Sequence, residues 1–109
     1  MGSLTKGYIR ISPQEAYSRM STSDEYILLD VRSAAEYKET RIAGAKLIPV
    51  DELGRRAPVE LSDKHIPIFI YCRSGARAAR AADFLAGIGY TSVYSFGGIM
   101  NWQFGTVRE

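Results

Sequence analysis

The sequence predicts an α/β fold in which a mainly parallel β-sheet carries helices on both faces. The first observation behind this prediction is that segments typical of strands alternate with segments typical of helices along the whole chain. The second is that the strand segments are apolar without regular polar alternation, which is typical of strands covered on both faces. Both observations favour a sheet whose successive strands are joined by helices.

The first half of the chain contains two strand–helix pairs. Residues 8–11 form a short β-prone run, and residues 12–15, Ser-Pro-Gln-Glu, have the pattern of a capping box, which predicts a helix to about Met20. Residues 26–29 are apolar and predict the second strand. Residues 33–36, Ser-Ala-Ala-Glu, form a second capping box and predict another short helix.

The middle of the chain predicts a third strand followed by an irregular segment. Residues 45–50 have the composition of a strand, which Pro49 closes. Residues 51–53 are typical of a single helical turn. We expect residues 54–64 to form a polar connection without regular structure.

The most apolar segment of the chain, residues 66–71, predicts the central strand, in which Pro67 is tolerable only near the start. An apolar stripe at helical spacing then predicts a helix. The stripe consists of Ala78, Ala81, Ala82 and Leu85, joined by Phe84 and Ile88. Residues 91–96 predict the last strand, the glycines at 97 and 98 a break, and residues 99–104 a short helix.

Length and composition limit the classes of function. The 109 residues suit one domain, which we expect over residues 4–106. The formal charge of +2 comes from 14 basic and 12 acidic residues that are mixed along the chain, so neither a nucleic-acid nor a membrane partner is expected. A single cysteine excludes an intrachain disulfide, and we find no secretory signal, so a reducing cytoplasmic compartment is expected.

The single cysteine, Cys72, marks the candidate catalytic site. It lies where the central strand gives way to a helix, and sites in open α/β sheets form beyond the carboxyl ends of strands. In the sequence that follows it, Gly75 can adopt the positive φ that turns successive amides toward one point, so the loop is expected to bind an anion. Arg73, Arg77 and the start of the next helix add positive potential that stabilises a thiolate. We therefore predict that Cys72 is a nucleophile, with the substrate-binding residues Arg73, Ser74, Gly75, Ala76 and Arg77 around it.

Other interpretations of Cys72 fit the residues less well. A buried structural cysteine needs neither the glycine turn nor the two arginines. One cysteine and one histidine do not make a zinc site. That histidine, His65, precedes the central strand, so we expect it at the opposite end of the sheet and not as a partner of the thiol.

Three motifs in order resemble the rhodanese family, specifically its single-domain sulfurtransferases, over nearly the whole chain. Residues 28–53, LLDVRSAAEYKETRIAGAKLIPVDEL, are similar to the family's first motif. CRSGAR at 72–77 is similar to its active-site loop, and VYSFGGIMNW at 93–102 to its closing Gly-Gly and tryptophan motif. The chain departs from the family at Arg41, where the family normally has a histidine.

The resemblance implies a rhodanese-like three-layer sandwich with a five-stranded, mainly parallel sheet between helices. It also implies transfer of a sulfane sulfur through a persulfide on Cys72, with no metal or organic cofactor. The partners would be a small anionic sulfur donor and a thiophilic acceptor, such as cyanide, a thiol or a partner protein. Thiosulfate, a persulfide on another protein and mercaptopyruvate are all candidate donors, of which mercaptopyruvate fits the loop least well.

Two other matches to the family motifs have adequate structural explanations. For Asp30 and Arg32 we expect loop-fixing hydrogen bonds and an ion pair between Arg32 and Glu36, four residues later. The glycines at 97 and 98 could bring backbone close to the loop at Cys72, but two glycines are also ordinary turn chemistry.

Two rival functions remain open. A cysteine-based phosphatase also holds a thiolate in an anion-binding turn, but such a loop places five residues between cysteine and arginine, whereas four separate Cys72 from Arg77. The second rival is a regulatory or binding module of the same family. Members with that role often lack the cysteine, and this chain has the complete loop.

Overall fold

The fold is described from a computed structural model that covers residues 3–5 and 7–108. Its strands form one sheet with the order β1-β2-β6-β5-β3-β4. The strands are β1 (Ser3–Thr5), β2 (Tyr8–Arg10), β3 (Ile27–Asp30), β4 (Lys46–Leu47), β5 (Ile68–Cys72) and β6 (Val93–Gly98). The five strands from β2 to β6 are parallel, as predicted, and β1 adds a short antiparallel strand at one edge that the sequence did not indicate.

Helices cover both faces of the sheet, which confirms the predicted α/β fold. The helices are α1 (Pro13–Ser21), α2 (Ala34–Glu39), α3 (Leu53–Glu60) and α4 (Ala76–Gly87), with 3-10 turns at Val50–Glu52 and Ile99–Asn101. Ser33 and Glu36 form the predicted reciprocal capping box. At residues 12–15 the Ser12 hydroxyl accepts from the amide of Glu15, as an N-cap does, while the Glu15 carboxylate binds Arg19. These caps fix where α1 and α2 begin.

The central strand β5 explains the absence of polar alternation in the sequence. All five of its residues are buried. Ile68, Ile70 and Cys72 belong to the core under α3 and α4, whereas Phe69 and Tyr71 belong to the core under α1. Both faces of the strand are therefore in apolar surroundings, as parallel sheets require.

The polar connection predicted over residues 54–64 is wrong, because most of this segment is helix α3. Leu53, Ala57 and Leu61 recur at a spacing of four residues and are all buried. The interior Pro58 concealed this pattern, since proline lacks the amide that an inner helical turn uses. The burial of this apolar face stabilises the helix by more than the hydrogen bond that Pro58 cannot donate.

The ends of three other elements differ from the predictions. The third strand is limited to β4, two residues long, instead of residues 45–50. The two glycines at 97 and 98 do not break the chain but form the last residues of β6. The helix expected over residues 99–104 is a single 3-10 turn.

None of the helices described within residues 3–5 and 7–108 has both the length and the apolar character that are needed to span a bilayer.

The packing of α4 on the sheet generates a first prediction. Ala78, Ala81, Ala82 and Leu85 are completely buried. Because small side chains let the helix lie close to the strands, Ala81→Leu should lower the free energy of unfolding by about 1–3 kcal/mol. Urea denaturation measures this change. Arg80→Leu, which places the same side chain on the neighbouring exposed position, is the control; an equal loss in both variants would contradict close packing as the cause.

Candidate active site

Cys72 is the last residue of β5, and its side chain is 1% exposed. The register between β5 and β6 changes just before it, because Ile70 pairs with Ser95 but Cys72 pairs with Gly98. β6 therefore carries one extra residue over this interval, as in a β-bulge. The irregularity lies at the carboxyl end of the sheet, where the sequence placed the site.

The loop after Cys72 turns back onto the sulfur. The amide of Gly75 donates a hydrogen bond to Cys72 Sγ at 3.0 Å. Gly75 has φ of +124° and precedes the first turn of α4, whose N-terminal amides receive no side-chain cap. A positive φ of this size favours glycine. The geometry thus directs an amide and the positive end of a helix toward the sulfur, an arrangement that stabilises an anion there.

The backbone of β6 holds the loop from one side. A side chain at Gly98 would collide with the carbonyl group of Arg73, so only glycine allows this approach. The Arg73 carbonyl also accepts a hydrogen bond from the amide of Met100 at 3.3 Å. Gly97 lies beside Gly75: a Cβ added to Gly75 would be 3.5 Å from the Cα of Gly97. Of the two interpretations of the glycine pair, the structure supports close approach to the loop.

Helix α2 holds the loop from the other side through an ion pair. The Arg77 guanidinium donates to both carboxylate oxygens of Glu36, at 2.7 and 3.0 Å. This hydrogen bond is the main reason why the pKa of Glu36 falls to about 2, and it also raises the pKa of Arg77. The charge of Arg77, which the sequence assigned to the thiolate, is therefore shared with a carboxylate.

The ion pair predicted between Arg32 and Glu36 is wrong. Arg32 instead donates to both oxygens of Asp30, with the shortest contact at 2.7 Å, and to the carbonyl of Thr40 at 2.6 Å. The amide of Arg32 also donates to the Asp30 carboxylate at 3.0 Å. Both side chains are almost completely buried, so a paired arrangement is the one that burial permits. The predicted loop-fixing role of this pair agrees with these bonds, and Glu36 is left for Arg77.

The remaining candidate residues surround the start of α4. Arg73, Ser74 and Ala76 are exposed, while Gly75 and Arg77 are half-buried. Clefts of about 490 Å³ and 390 Å³ lie on the two sides of the loop; Arg77 lines the larger one, and Ser74, Gly75 and Ala76 line the smaller one. The structure thus brings all six predicted residues to one end of the sheet.

Two residues of the sequence analysis lie away from the sulfur. His65 is exposed before β5, with its Nδ1 3.1 Å from Thr91 Oγ1, as expected for a residue at the opposite end of that strand. Arg41 forms a backbone bridge with Val107, and its guanidinium lies 4.5 Å from the centre of the Tyr37 ring. Within the described part of the chain, no three His, Cys, Asp or Glu side chains come together as a metal site.

Comparisons with known proteins agree with this geometry. A family model described as the rhodanese-like domain matches residues 12–104. Thiosulfate sulfurtransferase PspE of Escherichia coli is 32% identical over 71 residues, which are 65% of this chain and 68% of that protein. Thiosulfate sulfurtransferase GlpE of Coxiella burnetii is 32% identical over 97 residues, or 88% of each chain. A solved rhodanese with anions from E. coli has a TM-score of 0.72 at 28% identity, covering 77% of this chain and 99% of its own.

The contact between β6 and the loop generates a second prediction. Gly98→Ala should lower the free energy of unfolding by roughly 1–3 kcal/mol and displace the loop, because the new methyl group meets fixed backbone. Urea denaturation measures the loss. Gly87→Ala is the matched control, since nothing lies within 4 Å of its added Cβ. Equal stability of the two variants would show that the contact does not constrain the loop.

The Glu36–Arg77 pair generates a third prediction, on the pH dependence of stability. A carboxylate with a lowered pKa stabilises the fold above its ordinary pKa of 4.5, and this contribution is lost as pH falls toward 2. Glu36→Gln should therefore cost roughly 1–3 kcal/mol at pH 7, and its difference from the unmodified protein should shrink between these pH values. Urea titrations at several pH values measure the difference. Glu39→Gln, on the exposed side of the same helix, is the control; a constant difference over this range for Glu36→Gln would contradict the assignment.

Proposed function

Since this chain belongs to the rhodanese-like domain family, we propose that it is a sulfurtransferase that moves a sulfane sulfur from thiosulfate, or a related anionic donor, to a thiophilic acceptor. The observation that carries the proposal is the hydrogen bond from the Gly75 amide to Cys72 Sγ at the N-terminus of α4. This hydrogen bond supports the assignment of the sulfur as the atom on which negative charge accumulates during the reaction.

The first half of the proposed reaction loads sulfur onto Cys72. The Cys72 thiolate attacks the outer sulfur of thiosulfate, a new S–S bond forms, and the bond between the two sulfurs of thiosulfate breaks. The electron pair of the broken bond leaves with sulfite. Cys72 then carries a persulfide whose terminal sulfur is again anionic, so the same amides stabilise the charge before and after the transfer.

The second half of the proposed reaction unloads the sulfur. A nucleophilic acceptor, either cyanide or a thiolate, attacks the terminal sulfur of the persulfide, and the electron pair of the persulfide bond returns to Cys72 as thiolate. The products are thiocyanate or an acceptor persulfide. No net oxidation or reduction of the protein occurs, and no co-reactant other than donor and acceptor is needed.

The loop residues have distinct roles in this proposal. Gly75 supplies the amide nearest the sulfur, and Ser74 and Ala76 complete the turn around it. Arg73 is exposed and attracts anionic donors from solvent. Arg77 is a positioning residue, since its bidentate pair with Glu36 anchors the first turn of α4 to α2. Cys72 is free of disulfide bonds, and we place the protein in a reducing compartment such as the cytoplasm, which keeps it so.

The fourth prediction tests this function against its rivals. After incubation with thiosulfate, intact-mass spectrometry should find one added sulfur, located on Cys72, and the protein should turn over thiosulfate and cyanide. Cys72→Ser should lose both the added sulfur and at least about 10³-fold of the turnover, because it removes the nucleophile. Hydrolysis of aryl phosphates should be negligible in both proteins.

Two results would contradict the proposal. Phosphatase activity that Cys72→Ser abolishes would favour the phosphatase rival. A folded protein that accepts no sulfur from thiosulfate or from a persulfide donor would favour the regulatory or binding module.

A further inference from the structure

The smaller cleft beside the loop, which we call the β6 cleft, has one arginine and two serines as its polar side chains, all of which can donate hydrogen bonds. The lining residues that carry the argument are Arg10, Gly75, Ala76, Ala79 and Ser95. The cleft has a volume of about 390 Å³ and no acidic side chain in its lining. It lies on the β6 side of β5, whereas the Glu36–Arg77 pair lies on the α2 side.

Ser95 is the buried polar group of this cleft. The residue is 4% exposed and lies on β6, yet its hydroxyl has no hydrogen-bond partner among the described residues. The hydroxyl is not sealed from the cleft either, because every completely buried side-chain oxygen or nitrogen of the described chain has a partner. The hydroxyl can therefore form a hydrogen bond with a ligand or water in the cleft.

Arg10 supplies a positive charge to the lining of the same cleft. Arg10 and Ser95 are paired residues in the parallel register of β2 and β6, so their side chains emerge on the same face of the sheet. That face is the one covered by α4, since Val93, two residues before Ser95, belongs to the core under α4. Arg10 is exposed and forms no ion pair with the described residues.

The N-terminus of α4 completes the cleft. This helix has twelve residues, and no side chain caps its first amides. Ala76, its first residue, and Ala79, one turn later, line the cleft with small side chains that leave room for a ligand. Uncapped amides and the helix dipole favour an anion, as do the guanidinium and the hydroxyl opposite them.

We propose that the β6 cleft binds the carboxylate of a small thiol acceptor and so holds that acceptor beside the persulfide of Cys72. This inference rests on the proposed sulfurtransferase function. The sulfo group of thiosulfate is one bond from the sulfur that Cys72 attacks, whereas Gly75 separates the cleft from Cys72 Sγ. The acceptor sulfur attacks the terminal persulfide sulfur, which lies one S–S bond beyond Cys72 Sγ. A carboxylate one or two carbon atoms beyond the acceptor sulfur therefore extends farther from Cys72 than the sulfo group of thiosulfate does, toward a cleft that Cys72 itself does not line. The thiolate then attacks the terminal persulfide sulfur, and the electron pair returns to Cys72.

The first test measures binding without chemistry, so that it stands even if sulfur transfer fails. The variant Cys72→Ala is titrated with mercaptoacetate at constant ionic strength, and the amide signals are followed by NMR. We expect saturable shifts at Gly75, Ala76 and Ser95, which 2-mercaptoethanol, a neutral thiol of similar length, does not produce. Adding Arg10→Gln should weaken binding about tenfold, as the loss of a hydrogen bond to a charged group does. Ser95→Ala is a second variant, which removes the hydroxyl of the cleft without breaking a hydrogen bond between described residues.

The second test uses the Cys72 protein and compares the two thiols as acceptors. In Arg10→Gln, the ratio of kcat/KM for mercaptoacetate to that for 2-mercaptoethanol should fall about tenfold, mainly through KM. In Arg108→Gln, which removes an equal charge at an exposed position outside the cleft, the ratio should stay within about twofold.

Three results would overturn the inference. They are NMR shifts confined to the Arg77 side of the loop, an unchanged acceptor ratio in Arg10→Gln, and an increase in KM for thiosulfate alone. The last result would assign the cleft to the donor. Loss of transfer to every acceptor would instead count against the proposed function, while the NMR titration would still decide whether the cleft binds a carboxylate.

Discussion

The contact between the Arg73 carbonyl and the backbone of Gly98 is the constraint on which the candidate site depends. It presses the loop against β6 at the point where the register of β5 and β6 shifts. The amide of Gly75 then faces the sulfur, and α4 starts at a fixed place above the sheet. Because the far side of the loop is tied to α2 through Arg77 and Glu36, the turn is held at both ends. In the proposed reaction, amides that are already oriented in this way need no rearrangement as charge develops on the sulfur.

Two ion pairs and a hydrogen bond to helix α2 connect the core to that loop. The buried pair of Asp30 and Arg32 orders the turn after β3, and Arg32 also holds the carbonyl of Thr40 at the far end of α2. Helix α2 has no fully buried residue, but Tyr37 packs against the core, and its hydroxyl donates to the Ala45 carbonyl at 2.6 Å. These contacts, together with the capping box, hold α2 where Glu36 meets Arg77. The buried Asp30–Arg32 pair and the Glu36–Arg77 pair that anchors the loop are thus linked through one short helix.

Local chemistry made much of this molecule predictable. The capping serines, the apolar central strand and the glycine turn after Cys72 act within a few residues, and each was found where the sequence placed it. Helix α3 was missed because Pro58 opposes helix formation locally while burial of Leu53 and Ala57 favours it. The partner of Arg77 was missed because Glu36 is 41 residues away, and the position of Arg10 opposite Ser95 depends on sheet register. Neither contact has a local signal, since Glu36 lies in the segment similar to the first family motif and Arg77 in the segment similar to the active-site loop.

The strand order has a consequence for how the protein forms during synthesis. β2 is synthesised before the helices that cover the sheet, but its parallel neighbour β6 is the last of the six described strands to be synthesised. The pairing of Ile9 with Tyr94 therefore closes a loop that contains most of the chain, and such long-range closure is slow. The carboxyl end of β6 also supplies Gly98. A nascent chain in which Cys72 has already been synthesised thus carries an exposed thiol, and the loop around that thiol is not held in place until β6 has been added.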